Sequence, residues 1–371
     1  MIRPLVTGAA AVTPLGRDLA STRAALAEGR SAFAPVDLPE GDPASLRRDP
    51  APAARILSFT TEPDFPRGKA RRFDRASQFA VVASVQALAS AGWTMAGREE
   101  RTGIVFGTGS AGATPLTEME RQMAVEGPDA ASPFLFPYVV SNAPASQAAI
   151  ELGIRGPNVT VIQKDPAALV ASLYARMLLT DRRADAILVG ASDEWTMGYH
   201  LVYERLRVVR TARRPGFVLG EGASCVLLER EESAASRGAA AWARLAGTAT
   251  RNEPVSPHRR RATPEVLARV ISTALEEAGA SATSVGLVHV SANGTPAADE
   301  AEREALRLVF GNAVPPCVAI KEAIGENPCT GAAQLAVAAA TLRDAPATGA
   351  ILVNAFGAGG NNVVAVLARA S

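Results

Sequence analysis

The chain has 371 residues, of which 48% are hydrophobic and 20% charged, with a net charge of +1. That balance describes a globular protein with a sizeable core and excludes a strong field drawing it to nucleic acid or a membrane surface. No stretch approaches 18 uncharged apolar residues, so no membrane-spanning helix is expected. Cys225, Cys317 and Cys329 are too few and too scattered for a disulfide framework.

The opening, "MIRPLVTGAAAVTPLG", reads as a strand rather than the apolar block of a signal peptide, and a cytoplasmic location is expected. Residues 30–70 are rich in Pro, Asp and Arg and read as a surface insertion. "RASQFAVVASVQALASAG" then has the composition of a long helix, and "TGIVFGTG" of a buried strand. "PASQAAIELG" predicts a helix, "NVTVIQ" a strand, "PAALVASLYARMLL" a helix, and "ADAILVGAS" and "ASCVLLER" strands. A second run follows: strand "AWARLAGTA", helix "TPEVLARVISTALEEAG", strand "VGLVHVSA", helix "ADEAEREALRLVFG", then strands "CVAIK", "GAILVNAF" and "NVVAVLAR". Wholly apolar strands alternating with helices imply sheets covered on both faces, an α/β class. "NVTVIQKDPAAL" has a rough echo in "CVAIKEAIGENPCTGAA": strand, Lys, then a polar site at a helix start. The polar loop at 250–263 carries Arg259–Arg261, a solvated run or a docking patch for an acidic partner.

The joint between "NVTVIQ" and the next helix holds Lys164, Asp165 and Pro166. Asp is a preferred N-cap and Pro a preferred first helical residue, so Asp165 is expected to cap the helix. Leu169, Leu173 and Met177 are expected to form one apolar stripe on it.

Seven stretches taken together resemble the β-ketoacyl-acyl-carrier-protein synthase family: "VTGAAAVTPLGRD", "RRFDRASQFAVVASVQALASAGW", "SPFLFPYVVSNAPASQAAIELGIRGPNVTV", "GFVLGEGASCVLLEREESAASRGA", "NGTPAADEAEREAL", "AIKEAIGENPCTGAAQ" and "NAFGAGGNNVVAVL". The resemblance implies the thiolase-like fold: two duplicated halves, divided here at 1–235 and 236–371, in a five-layer αβαβα arrangement. It also implies a dimer in which the strand around Val159–Gln163 pairs with its partner.

Enzymes of that family use a Cys and two His. Carried over, the Cys position falls on Asp165, the first His on Asn293 and the second on Glu326, while the family's Lys is kept as Lys321. A carboxylate attacking a thioester gives only a labile mixed anhydride. Glu326 would repel a nascent enolate, and losing even one oxyanion donor costs roughly 100- to 1000-fold. Glu326 is expected to pair with Lys321 or Lys164 in a filled, collapsed pocket. Cys329 is expected to be a packing residue. The gate region falls on Phe356 and Ala358, where the family usually has a second Phe.

The resemblance thus points to a chain-length-factor-type subunit, possibly of a polyene or aryl polyene type II polyketide synthase. Such a subunit has no catalytic triad, metal or cofactor of its own. Its expected partners are an active ketosynthase and an acyl carrier protein, with no nucleic acid or membrane. Phe134, Leu135, Phe136, Tyr138 and Gln163 are its expected tunnel and interface residues, unless the aromatics are ordinary core. Two alternatives stay open: a stand-alone thioester hydrolase or acyltransferase using Asp165, and a homodimeric carrier-protein binder using Arg259–Arg261.

Overall fold

A computed structural model describes residues 1–37, 50–254 and 263–370. The expected patch at Arg259–Arg261 lies outside the described residues. Ten strands form one continuous hydrogen-bonded sheet. They are β1 (Leu5–Val12), β2 (Thr102–Thr108), β3 (Asn158–Ile162), β4 (Ala186–Asp193), β5 (Gly222–Glu229), β6 (Ala243–Asn252), β7 (Val285–His289), β8 (Cys317–Val318), β9 (Ala350–Phe356) and β10 (Asn361–Ala368). Their spatial order is β8-β7-β9-β10-β6-β1-β5-β4-β2-β3.

That order contains a repeat. The first five strands run 3-2-4-5-1, and the last five repeat the pattern five positions on. Directions repeat too: β2 is parallel to β3 and β4, and β7 to β8 and β9, while β5, β1, β10 and β6 are antiparallel to their neighbours. The faint echo in the sequence therefore marks equivalent places, the third strand of each repeat and the helix after it. Within the ten-stranded sheet, Leu5 opposite Arg244 and Val6 opposite Ala243 join the two five-stranded halves.

The helices that build the layers and the site are α1 (Arg75–Ser90), α2 (Ala143–Leu152), α3 (Ala167–Thr180), α4 (Met197–Arg205), α5 (Pro264–Ala278), α6 (Pro296–Phe310) and α7 (Cys329–Asp344). Strand alternation assigns the layers. In β2, Ile104 and Phe106 face Phe79 and Val82 of α1, while Val105 faces the inner core with Leu169 and Leu179 of α3. In the second half, Leu352 and Val364 face Ile271 of α5, while Ile351 and Val353 face the inner core. Helices α3 and α7 lie between the halves, giving the five-layer αβαβα arrangement. The thiolase-like α/β fold is thus present.

A helix enclosed on all sides must be apolar all round. Helix α7, "CTGAAQLAVAAATLRD", buries 13 of its 16 residues, and its six Ala and one Gly let both sheets approach closely. Helix α3 is only half enclosed. Leu169 is buried and Leu173 half-buried, but Met177 is 50% exposed, so the expected stripe breaks. Fourfold spacing advances 400° on a helix and drifts about 40° per step; the buried face runs instead through Leu169, Ser172, Arg176 and Leu179.

The insertion is less superficial than expected. Ala53–Ala54 pairs with Phe33–Ala34 and with Leu219–Gly220, and Ala51, Ala53 and Ala54 are fully buried. "CVAIK" is a strand only at Cys317–Val318, because Lys321 already opens a one-turn helix.

Candidate functional site

In parallel sheets, ligand sites form beyond the carboxyl ends of the strands. Both repeats turn those ends toward the same place. The first sheet supplies Gly109 and Ser110 after β2, Lys164 and Asp165 after β3, and Asp193 and Glu194 at the end of β4. The second supplies Ser291 and Asn293 after β7, Lys321 and Glu326 after β8, and Phe356 and Ala358 at the end of β9. Gly107 lets α3 start hard against β2: a Cβ there would lie 2.7 Å from the backbone of Ala167.

The structure brings Asp165, Asn293 and Glu326 together. Asp165 lines both a cavity of about 1010 Å³ and a small void of about 30 Å³ behind it. Glu326 lines the first and Asn293 the second, and Ala358 lines both. Asn293 Nδ2 donates to Glu326 Oε2, and Lys321 Nζ stands 3.8 Å from the same oxygen. All three side chains are buried. Lys321 also donates to Ser291 Oγ at 3.4 Å, and that oxygen accepts from the Phe356 amide at 2.9 Å. Of the two lysines expected to pair with Glu326, it is Lys321 that does so.

The backbone fixes Glu326 as well. Gly325 adopts φ +79°, and the Glu326 amide donates to Val218 O at 2.6 Å while its carbonyl accepts from Gly220 N at 3.1 Å. The turn is thereby stitched to the Leu219–Gly220 segment.

Asp165 does not cap α3. Pro166 occupies the N-cap position and no side chain caps the helix. The reason is the turn: Lys164 takes a left-handed φ of +27°, and the Ala167 amide donates to Lys164 O at 3.1 Å. That geometry pulls Asp165 into the buried space between the halves. Lys164, for its part, donates from Nζ to the Tyr203 hydroxyl at 2.9 Å, a hydrogen bond that raises its pKa. A left-handed non-glycine residue is strained by about 1–3 kcal/mol and concentrates at functional positions.

The expected collapse is half realised. Asn293 sits against a void too small for a ligand and Lys321 is buried, but the cavity in front of Asp165 and Glu326 is open. The far wall of that cavity is formed by α4 and the 206–220 segment.

Three buried carboxyls at the site are not among the residues expected from the sequence, Asp193 and Glu194 at the end of β4 and Glu302 on α6. Asp193 accepts from Thr108 Oγ1, Gly109 N, Ser110 N and Ser110 Oγ at 2.7–2.9 Å, and burial still pushes its carboxyl up to about 6. Glu194 accepts from the Thr114 amide at 3.1 Å and is pushed up to about 7 by burial. Glu302 accepts from Ser291 N and Asn354 Nδ2, both at 2.9 Å, and burial pushes it up to about 7. The run "SDEW" directly after an apolar strand was the available clue to Asp193 and Glu194.

Phe134, Leu135, Phe136 and Tyr138 line neither cavity. They are not core either: Phe134 is 85% and Phe136 63% exposed. Gln163, beside the free edge of β3, accepts from Asn361 Nδ2 at 2.6 Å. Cys329 is buried against Ala168, Ala191 and Ala332, a packing residue. Cys225 is likewise buried, and Cys317 lies exposed on β8.

A duplicated αβαβα unit with its site at the shared strand ends is the architecture of a thiolase-like condensing-enzyme fold. The comparisons narrow this further. Residues 4–234 match the model of the beta-ketoacyl synthase N-terminal domain and residues 242–348 that of the C-terminal domain. The chain belongs to the beta-ketoacyl synthase family. It is 29% identical over 331 residues to 3-oxoacyl-[acyl-carrier-protein] synthase 2 of Synechocystis sp., covering 84% of this chain and 77% of that protein. It is 26% identical over 326 residues to the Staphylococcus aureus (strain MRSA252) protein of the same name, covering 84% and 78%. Among solved structures, the ishigamide ketosynthase/chain length factor superimposes with a TM-score of 0.89 at 23% identity, covering 100% of this chain and 99% of that one. A type II PKS acyl-carrier protein in complex with its ketosynthase bound to the hexaketide gives 0.86 at 20% identity, covering 100% and 99%. At those identities the two likenesses speak for the fold.

Proposed function

We propose that this chain is a catalytically silent, chain-length-factor-type subunit that pairs with an active ketosynthase and shapes the tunnel for its growing polyketide or polyene chain. The observation that carries the reading is the make-up of the strand-end site. In place of a thiol and two imidazoles it holds Asp165, Asn293 and Glu326, and Glu326 is already engaged by Asn293 and Lys321. An anionic, internally paired site has no nucleophile to carry an acyl group and no pair of donors for an enolate.

The surface supports pairing. Strand β3 ends the ten-stranded order, so one of its edges is free, and Ile162 on it is 63% exposed. Phe134, Phe136, Val140 and Ile150 add further exposed apolar area in the segments leading to that strand. An uncovered apolar edge strand is unusual for a lone chain and suits β-pairing with a similar subunit. The chain would thus add Phe134, Leu135, Phe136, Tyr138 and Gln163 to an interface beside the partner's pocket, and an acyl carrier protein would deliver chains to the pair.

The test is co-expression with an active ketosynthase of this family. A one-to-one complex that condenses thioesters only when both subunits are present supports the reading, as does a shift in product length on Phe136→Ala or Phe136→Trp. A homodimer that condenses thioesters alone overturns it. A purified chain that hydrolyses thioesters and loses this in Asp165→Asn would favour the stand-alone alternative instead.

A further inference from the structure

The open cavity in front of Asp165 has no role in the partner-tunnel reading, yet it is large and carries its own chemistry. Its walls are Trp195, Tyr199, Tyr203, Leu206, Phe217 and Leu219, an apolar and largely aromatic surface. Tyr199 and Tyr203, one turn apart on α4, stack with centroids 6.3 Å apart at an interplanar angle of 28°. Two cationic residues also line it, Lys164 and Arg207, and both side chains are exposed. Both take left-handed backbone conformations, φ +27° and +59°, which L-residues adopt at a cost. Lys164 spends one ammonium hydrogen on Tyr203, leaving two; Arg207 makes no side-chain hydrogen bond or ion pair among the described residues.

The acidic groups lie deep. Asp165, Glu194 and Glu326 line the same cavity and are buried. Exposed cations with buried carboxylates behind them set a direction. An anionic head is attracted at the mouth and repelled from the floor, and the body between must be flat and apolar to lie on the aromatic wall. About 1010 Å³ is ample for one such molecule.

We propose that this cavity binds a free aromatic carboxylate, its anionic head held by Lys164 and Arg207 at the mouth and its ring lying against Tyr199, Tyr203 and Trp195. The site stands whether or not the chain pairs with a ketosynthase, because every residue named belongs to this chain.

The probe is 2-naphthoate, with neutral 2-naphthamide as the isosteric comparison, titrated into the full chain by calorimetry and by quenching of tryptophan emission. The acid binds at least tenfold more tightly than the amide. Lys164→Met and Arg207→Ala each weaken the acid about three- to tenfold, the range for charge-assisted hydrogen bonds at a partly open site, and leave the amide unchanged. Trp195→Phe removes most of the quenching and weakens calorimetric binding only a few-fold, because Phe keeps an aromatic face. Equal affinity for acid and amide, or indifference to Lys164→Met, overturns the assignment. So does loss of binding in Phe134→Ser/Phe136→Ser, which would place the probe on the exposed apolar segment instead.

Discussion

Asn293 and Glu326 lie 33 positions apart in the chain and share a hydrogen bond, Asn293 Nδ2 donating to Glu326 Oε2, with the Lys321 ammonium 3.8 Å from the same oxygen. Burial makes this triad a unit. Removing one partner of a buried pair typically costs about 3–5 kcal/mol, whereas replacing both by apolar groups is close to neutral. Lys321→Met is therefore expected to destabilise the fold strongly, and Lys321→Met/Glu326→Leu to recover most of the loss. Denaturant unfolding of these two variants and of Glu326→Leu checks this; simple additivity would show that the pair is not coupled.

Asp165 lines the open cavity at the start of α3, where the helix dipole favours an anion. A thiol at this place should be reactive, since a helix N-terminus lowers a cysteine's pKa. In a Cys317→Ser background, Asp165→Cys is expected to take up one equivalent of iodoacetamide. The background alone should take up none, because burial pushes the Cys225 and Cys329 thiols up and encloses them. Mass spectrometry of the labelled chain decides it.

Glu302 gives a pH dependence with a definite sign. Burial raises its folded carboxyl from 4.5 to about 7, so between these values the folded state holds a proton that the unfolded chain has released. Stability then falls as pH rises through that window, from acid toward neutral. Glu302→Gln, which keeps an acceptor for Ser291 N and Asn354 Nδ2, removes the effect. The melting-temperature gap between Glu302→Gln and the parent is expected to widen from pH 4.5 to pH 7.5, and a constant gap would contradict it.

His289 should act in the opposite sense. It is buried with neither ring nitrogen hydrogen-bonded, and burial lowers its pKa from 6.5 to about 4. The unfolded chain binds the proton first as pH drops, so stability present above about 6.5 is lost toward 4. His289→Leu is expected to unfold less steeply than the parent over that acid range in pH-jump denaturation.

The free edge of β3 should govern assembly. Ile162→Asp places a charge on an exposed apolar position of the edge strand, so the fold itself should be unaffected. Light scattering is expected to show loss of the dimer or heterodimer with an unchanged circular dichroism spectrum. An assembly indifferent to the substitution would place the interface elsewhere.

Most of the fold could be read from the chain because its strands announce themselves. "GIVFG", "AILVGA" and "AILV" are unbroken apolar runs, which a doubly covered sheet requires of its strands. The small and apolar residues running through "GAAQLAVAAA" in α7 have the same meaning for a helix between two sheets. The Asp165 cap could not be judged that way. Asp-Pro before a helix is a sound local signal, but the left-handed turn at Lys164 overrides it and shifts the helix start to Ala167.

The identities at the site, Asp165, Asn293, Glu326 and Lys321, were fixed by the sequence by itself, and with them the absence of a thiol or imidazole at those positions. What only the tertiary structure decided is which groups meet. It paired Lys321 rather than Lys164 with Glu326, gave Lys164 to Tyr203, and left a large cavity open beside a closed triad. The reason is physical: residue type is local, but the strand ends that converge here come from two repeats, and their spacing is set by packing of α3 and α7 between the sheets.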